Sequence, residues 1–221
     1  MKQPLPRRLV AETIGTALLL AAVVGSGIMG ERLAAGNVAV ALLANSIATG
    51  GALLALILTF GPISGAHFNP AVTLAIAWQR GLAWREVPAY LIAQVGGAFA
   101  GVGIAHLMFG LPLFFASQHV RDGHAQLLAE FVATFGLLAV IFGSERFKPA
   151  MVPFGVAAYI VAAYWFTAST SFANPAVTLA RSVTDTFAGI RPVDAPPFVV
   201  AQLLGAVIAT ALFRWFDSAY E

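Results

Sequence analysis

Two copies of one heptapeptide hold the side chains best placed to act on a solute: Asn69-Pro70-Ala71-Val72-Thr73-Leu74-Ala75 and Asn174-Pro175-Ala176-Val177-Thr178-Leu179-Ala180. Asn is a strong N-cap and Pro suits the first helical position, so each copy predicts the start of a helix. Such a start carries about half a positive charge. The side-chain amides of Asn69 and Asn174 add hydrogen-bond donors at the same place. This chemistry orients the oxygen of a passing water or hydroxyl and opposes a cation; it breaks no bond. No nucleophile with an adjacent base and no cluster of metal ligands is visible, so no catalytic residue, metal or cofactor is assigned. Cysteine is absent, which excludes disulfides and thiolate metal sites.

Two carboxylates, Glu12 and Glu130, stand inside apolar stretches, where an ionisable group is a functional candidate. Each either loads and releases a proton, as in a gradient-coupled secondary transporter, or accepts hydrogen bonds from backbone in its own half. His67 either lines a passage or braces the loop that carries it.

These residues must be positioned by a chain that is 59% hydrophobic and 10% charged, with mean hydropathy +0.84. Those values exceed what a soluble core needs and point to lipid as the solvent. Apolar runs lie at about 9–30, 37–60, 87–109, 126–143, 151–168 and 196–216, each near the roughly 20 residues that a spanning helix requires. The expected fold is therefore all-α and membrane-integral, a single domain over residues 1–221 with no room for a soluble one. The first run contains Glu12 and lacks an evident cleavage site, so it reads as a retained span. A formal charge of +2, with cations scattered between the runs, argues against nucleic acid as a partner. Placing both termini in the cytoplasm puts Lys2, Arg7, Arg8, Arg80, Arg85, Arg146, Lys148 and Arg214 on the inner side. Arg32, Arg121, Arg181 and Arg191 fall outside. Trp78, Trp84, Trp215 and Tyr220 then mark the inner interface.

The repeat extends beyond the heptapeptides. Glu12 with Thr16 precedes the first copy, and Glu130 with Thr134 precedes the second. Gln94 with Gly97 and Ala98 follows the first, and Gln202 with Gly205 and Ala206 the second. The halves, about 1–115 and 121–221, contain three spans each. An odd number forces the second half to cross in the opposite sense, which is an inverted-topology repeat with its site near the midplane. The polar approaches to the heptapeptides, 61–68 and 168–173, cannot face lipid at membrane depth and must line a cavity. Residues 69–78 would rise about 15 Å, half a hydrocarbon core, so two half-helices meet at the centre.

On these residues the sequence resembles the aquaporin (major intrinsic protein) family over essentially its whole length. The resemblance rests on both Asn-Pro-Ala triplets, Ser64-Gly65-Ala66-His67, the Glu of the first and fourth spans and the Gln of the third and sixth. It implies six spans plus two half-helices, structural roles for Glu12, Glu130, Gln94 and Gln202, and a homotetramer in the plasma (inner) membrane. Gly97 with Gly101 offers a small-residue face for close helix approach in such an assembly. It also implies a pore for water and small uncharged solutes. Most relatives place Arg after the second triplet, where this chain has Val177. Carrying the other filter positions across by spacing gives Thr49, Ala162 and Ser171. The four side chains are small, so the expected filter is wide and lacks a fixed cation, similar to that of bacterial aquaporins associated with arsenic resistance. Glycerol or trivalent arsenic acids would fit; the alternative is a water-selective channel. Arg181, one turn beyond Val177, either guards a vestibule or snorkels to the surface.

Overall fold

The computed structural model describes residues 3–218, so Lys2 and Tyr220 lie outside the described residues. The backbone is helical almost throughout: α1 (Leu5–Leu33), α2 (Val38–Ser64), α3 (Pro70–Trp78), α4 (Val87–Met108), α5 (His124–Phe147), α6 (Val152–Phe166), α7 (Pro175–Arg181) and α8 (Ala195–Ser218). Six helices are long and apolar enough to cross a membrane, α6 with the turn before it included. The short ones, α3 and α7, have nine and seven residues and begin at the two Pro residues of the repeat. Start signals act where the sequence places them. Asn37 caps α2 by accepting from the backbone N–H groups of Ala39 and Val40 at 3.1 and 3.2 Å. Pro4 and Pro6 flank the first residue of α1, where a missing N–H costs nothing.

The halves repeat each other in packing. In the first, α1 lies against α4 and α2; in the second, α5 lies against α8 and α6. Close approach depends on glycine. A Cβ on Gly97 would collide with the Thr13 carbonyl and one on Gly101 with that of Ala17, while Gly205 stands in the same relation to the Phe131 carbonyl. The Gly97 and Gly101 face expected between subunits is therefore spent inside the chain, on the α1–α4 contact. The physical reason is that the small-residue rule selects close helix pairs without saying whether the partner is in the same molecule.

The halves also interlock. Leu19, Leu20, Val24 and Val102 of the first half pack with Ala176, Val177 and Ala180 of α7. Leu137, Leu138, Ala206 and Ala209 of the second pack with Ala71, Val72 and Ala75 of α3. Each half-helix is thus seated in the core of the opposite half. Large apolar side chains also cover the outside: Ile92 is 74% exposed and Leu107 68%. A bundle apolar within and without suits a lipid surround. Chain connectivity puts the N-terminus, the α3–α4 and α5–α6 links and the end of α8 on one side of the bundle.

Candidate functional site

Each dipping loop is held by a carboxylate of its own half. Glu12 accepts from the Ser64 hydroxyl (2.6 Å), the N–H groups of His67 (3.0 Å) and Phe68 (2.8 Å), and the Gln94 amide (2.8 Å). Glu130 accepts from the N–H groups of Phe172 and Ala173, both at 2.9 Å, and from the Gln202 amide at 2.5 Å. Gln94 and Gln202 each donate further to a repeat threonine, Thr73 or Thr178, at 2.8 Å. Both carboxylates are fully buried. Burying a carboxyl group inside a bundle is tolerated when donors surround it, and the donors here are fixed backbone and side-chain groups. The geometry is that of loop anchors.

Left-handed residues shape the loops: Ala66 (φ 49°) and Phe68 (φ 49°) in the first, Ser171 (φ 52°) and Ala173 (φ 48°) in the second. Alternation of this kind turns neighbouring N–H groups to one side, where a single carboxylate can take two of them. The price is backbone strain of roughly 1–2 kcal/mol per residue.

At the centre the two Asn residues cap their helices and bind each other's loops. Asn69 accepts from the Ala71 N–H at 2.9 Å and donates to the Ala173 carbonyl at 2.7 Å. Asn174 accepts from the N–H groups of Ala176 and Val177 at 3.0 and 3.3 Å and donates to the Phe68 carbonyl at 2.8 Å. An amide has two N–H groups. One on each Asn ties the halves together, and the other has no partner among the described residues.

Both Asn residues border a cavity of about 650 Å³ that extends from Arg8, Glu145 and Pro149 on the N-terminal side to Arg181 on the other. Pro70, Ala71, Pro175 and Ala176 are buried behind them as the first turns of α3 and α7. The cavity is also lined by apolar side chains that include Leu53, Ile57, Val156 and Ile160. His67 borders the cavity and also braces its loop: its Nδ1 lies 3.1 Å from the Thr73 hydroxyl, and its ring packs on Tyr90 at 5.3 Å between centroids. Tyr90 in turn donates to the Ser64 carbonyl at 2.9 Å.

Of the four expected filter positions, Thr49, Ser171 and Val177 border the cavity and Ala162 does not. Ala162 is exposed on the outside of the bundle. On α6 the cavity residues are Val152, Val156, Ile160 and Tyr164, spaced by four. A residue two positions from Ile160 or Tyr164 is turned by about 200° and faces away. Tyr164 stands at the wall instead, its hydroxyl 3.1 Å from that of Thr49. A ring that is small throughout is therefore corrected to one with a phenol in it. A buried tyrosine hydroxyl needs a partner, and that requirement was a usable signal for its inward face.

Arg181 is 2% exposed, so it does not snorkel outward. Its guanidinium lies 3.4 Å from the Phe172 ring centroid, and its Nε donates to the Ala188 carbonyl. The four positions read from spacing carry no cation, yet the cavity that three of them border has Arg181 on its wall. Arg121, from the loop between α4 and α5, also lies over Phe172, at 5.0 Å, and donates to the carbonyls of Gly189 (2.8 Å) and Ser169 (3.1 Å). Burial pushes the Arg121 guanidinium down to about 10, partly offset by Glu130 and Tyr164; it stays charged at neutral pH. Sequence reasoning had Phe172 only within the cavity-lining stretch 168–173 and missed Arg121 and Tyr164, since nothing in their spacing joins them to it.

Six spans enclosing paired half-helices, with free amides and an apolar wall along one cavity, define a membrane channel. The chain belongs to the major intrinsic protein family, whose family model matches residues 1–149 and 144–220. It is a multi-pass membrane channel and not an enzyme. It is similar to an aquaglyceroporin, AqpS, of Rhizobium meliloti (strain 1021), with 61% identity over 96% of this chain and 90% of that protein. The rice (Oryza sativa subsp. japonica) aquaporin NIP1-1 is 37% identical over 63% of this chain and 49% of its own. Among solved structures, the aquaglyceroporin from Plasmodium falciparum superposes with a TM-score of 0.74 at 20% identity, covering 95% and 96% of the two chains, a likeness of fold.

Proposed function

We propose that the whole chain forms one passive channel for water and small uncharged solutes such as glycerol, with trivalent arsenic acids in the same size and charge class. One observation carries this reading: Asn69 and Asn174, each with an amide N–H that has no partner among the described residues, line one cavity with the apolar side chains of Leu53, Ile57, Val156 and Ile160. A polyol can set hydroxyls on the donors and carbon on the wall, and water can use the donors alone. A cation meets two helix N-termini, Arg181 and a dehydration cost that reaches tens of kcal/mol in the idealised limit. A coupled carrier would need a carboxylate free to exchange protons with the passage, and both candidates are surrounded by fixed loop donors.

The side shared by the N-terminus and the end of α8 carries Arg7, Arg8, Arg80, Arg85, Arg146, Lys148 and Arg214, which supports a cytoplasmic location for it. Plasma-membrane residence and a homotetramer with one pore per subunit complete the proposal. Purified protein in liposomes tests it. Glycerol flux should follow its own gradient equally in both directions; dependence on an imposed proton or sodium gradient would promote the carrier. A monomer that stays active in mild detergent would contradict the assembly.

A further inference from the structure

A second concavity, of about 560 Å³, opens at the N-terminal side of the bundle and meets the pore cavity at Gly81 and Leu82, which line both. Trp78, Trp84 and Leu82 supply its apolar surface, and Arg80 and Arg214 its charge. Trp78 ends α3, Arg80 follows in the left-handed conformation (φ 64°), and Arg214 comes from the last turns of α8. Among the described residues no carboxylate lines the groove, and nearby Glu86 is engaged by Arg8 at 2.8 and 3.0 Å. Arg214 donates to the Trp78 carbonyl at 2.9 Å, which leaves most of its donors open, and the Arg80 guanidinium has no partner among the described residues. Trp78 is 37% exposed and Trp84 59%.

Two indoles at the level where spans end, beside two guanidiniums with no carboxylate among the described residues of the groove, match one molecule of the surroundings. We infer that this groove binds the headgroup of an anionic phospholipid, its phosphate between Arg80 and Arg214 and its glycerol and upper acyl carbons against Trp78, Trp84 and Leu82. Indole rings favour the interface because one part is apolar and the other wet. Arg holds phosphate with several donors at once. The groove joins α3 of the first half to α8 of the second, so an occupant bridges the repeat at the foot of the half-helix that ends in Trp78.

The four tryptophans make the test direct. In a protein with Trp165→Phe and Trp215→Phe, Trp78 and Trp84 report alone. It is reconstituted in phosphatidylcholine vesicles containing brominated phosphatidylglycerol or brominated phosphatidylcholine, at constant ionic strength. A cation near an anionic lipid contributes about fivefold. Half-quenching is expected at about twenty-fivefold less of the anionic lipid than of the zwitterionic one. Arg80→Gln should reduce that preference to about fivefold, and Arg80→Gln with Arg214→Gln should abolish it, with glycerol flux retained. Equal quenching by both lipids in the starting protein overturns the proposal, as does a preference that survives both substitutions. Loss of the preference on adding inorganic phosphate also overturns it, since the groove would then be a free-phosphate site. Should the double variant lose flux through misfolding, Arg80→Gln decides alone, because its guanidinium supports no described contact.

Discussion

The two dipping loops, 64–69 and 169–174, are the same object built twice and finished differently. Aligned on their Asn residues, Ser64 matches Ser169, Ala66 matches Ser171, His67 matches Phe172 and Phe68 matches Ala173. In both, the first serine hydroxyl accepts from the N–H two residues on, at 3.0 and 3.1 Å. In both, left-handed φ recurs at the same positions, and one carboxylate takes the next two N–H groups. The aromatic position then diverges. His67 leans on Tyr90 and reaches Thr73, whereas Phe172 lies beneath Arg181 and Arg121. The shared part holds the backbone and must be alike for the half-helices to meet. The unlike part borders the cavity, and the proposed selectivity is expected to follow from what was changed between copies.

The largest expected effect tests the shared part. Glu12→Ala or Glu130→Ala strands two buried backbone N–H groups, at about 1–3 kcal/mol for each group left unmade. Both variants should lose most folded protein, seen as thermal unfolding in detergent. A severe effect in one and a mild one in the other would break the equivalence of the loops.

Next comes the divergent end. Val177→Arg adds a second guanidinium one turn before Arg181 at the cavity wall. The glycerol-to-water permeability ratio should fall about tenfold, an added barrier of about 1.4 kcal/mol for the larger solute. An unchanged ratio would move the narrow point to Arg181 and Tyr164 and leave Val177 as packing.

The paired positions Ala66 and Ser171 allow a sharper comparison, because both border the cavity and the native chain has no cysteine. Parent flux should resist mercury salts. Ser171→Cys and Ala66→Cys should each confer block from their own side of the centre. Labelling that leaves flux intact at one position would remove that residue from the passage.

The smallest effect separates the two faces of α6. Tyr164→Phe loses the contact with Thr49 and should cost about 1 kcal/mol. Ala162→Leu, on the outer face, should stay within about 0.5 kcal/mol of parent and leave solute ratios unchanged. A large shift in ratio from Ala162→Leu would restore that position to the filter.

What the sequence determined by itself was everything that repeats. The span count follows from apolar length, the crossing sense from an odd number of spans per half, and the half-helix starts from Asn followed by Pro. Glu12 and Glu130, and likewise Gln94 and Gln202, were visible as equivalent landmarks because they stand in the same order around the two heptapeptides; that each Glu accepts from the Gln of its own half was not. Local patterns suffice for these, since a helix start, a span or a cap is decided by residues a few places apart. The tertiary structure alone decided which side chains share a space. Ala162 and Tyr164 differ by two residues, and the face each presents depends on how α6 is rotated against α2. Phe172, Arg181 and Arg121 converge from a dipping loop, a half-helix and an outer loop. Gly97 and Gly101 were legible as a close contact but not as an internal one. In each case the deciding quantity is the rotation or meeting of elements far apart in the chain, and packing sets that.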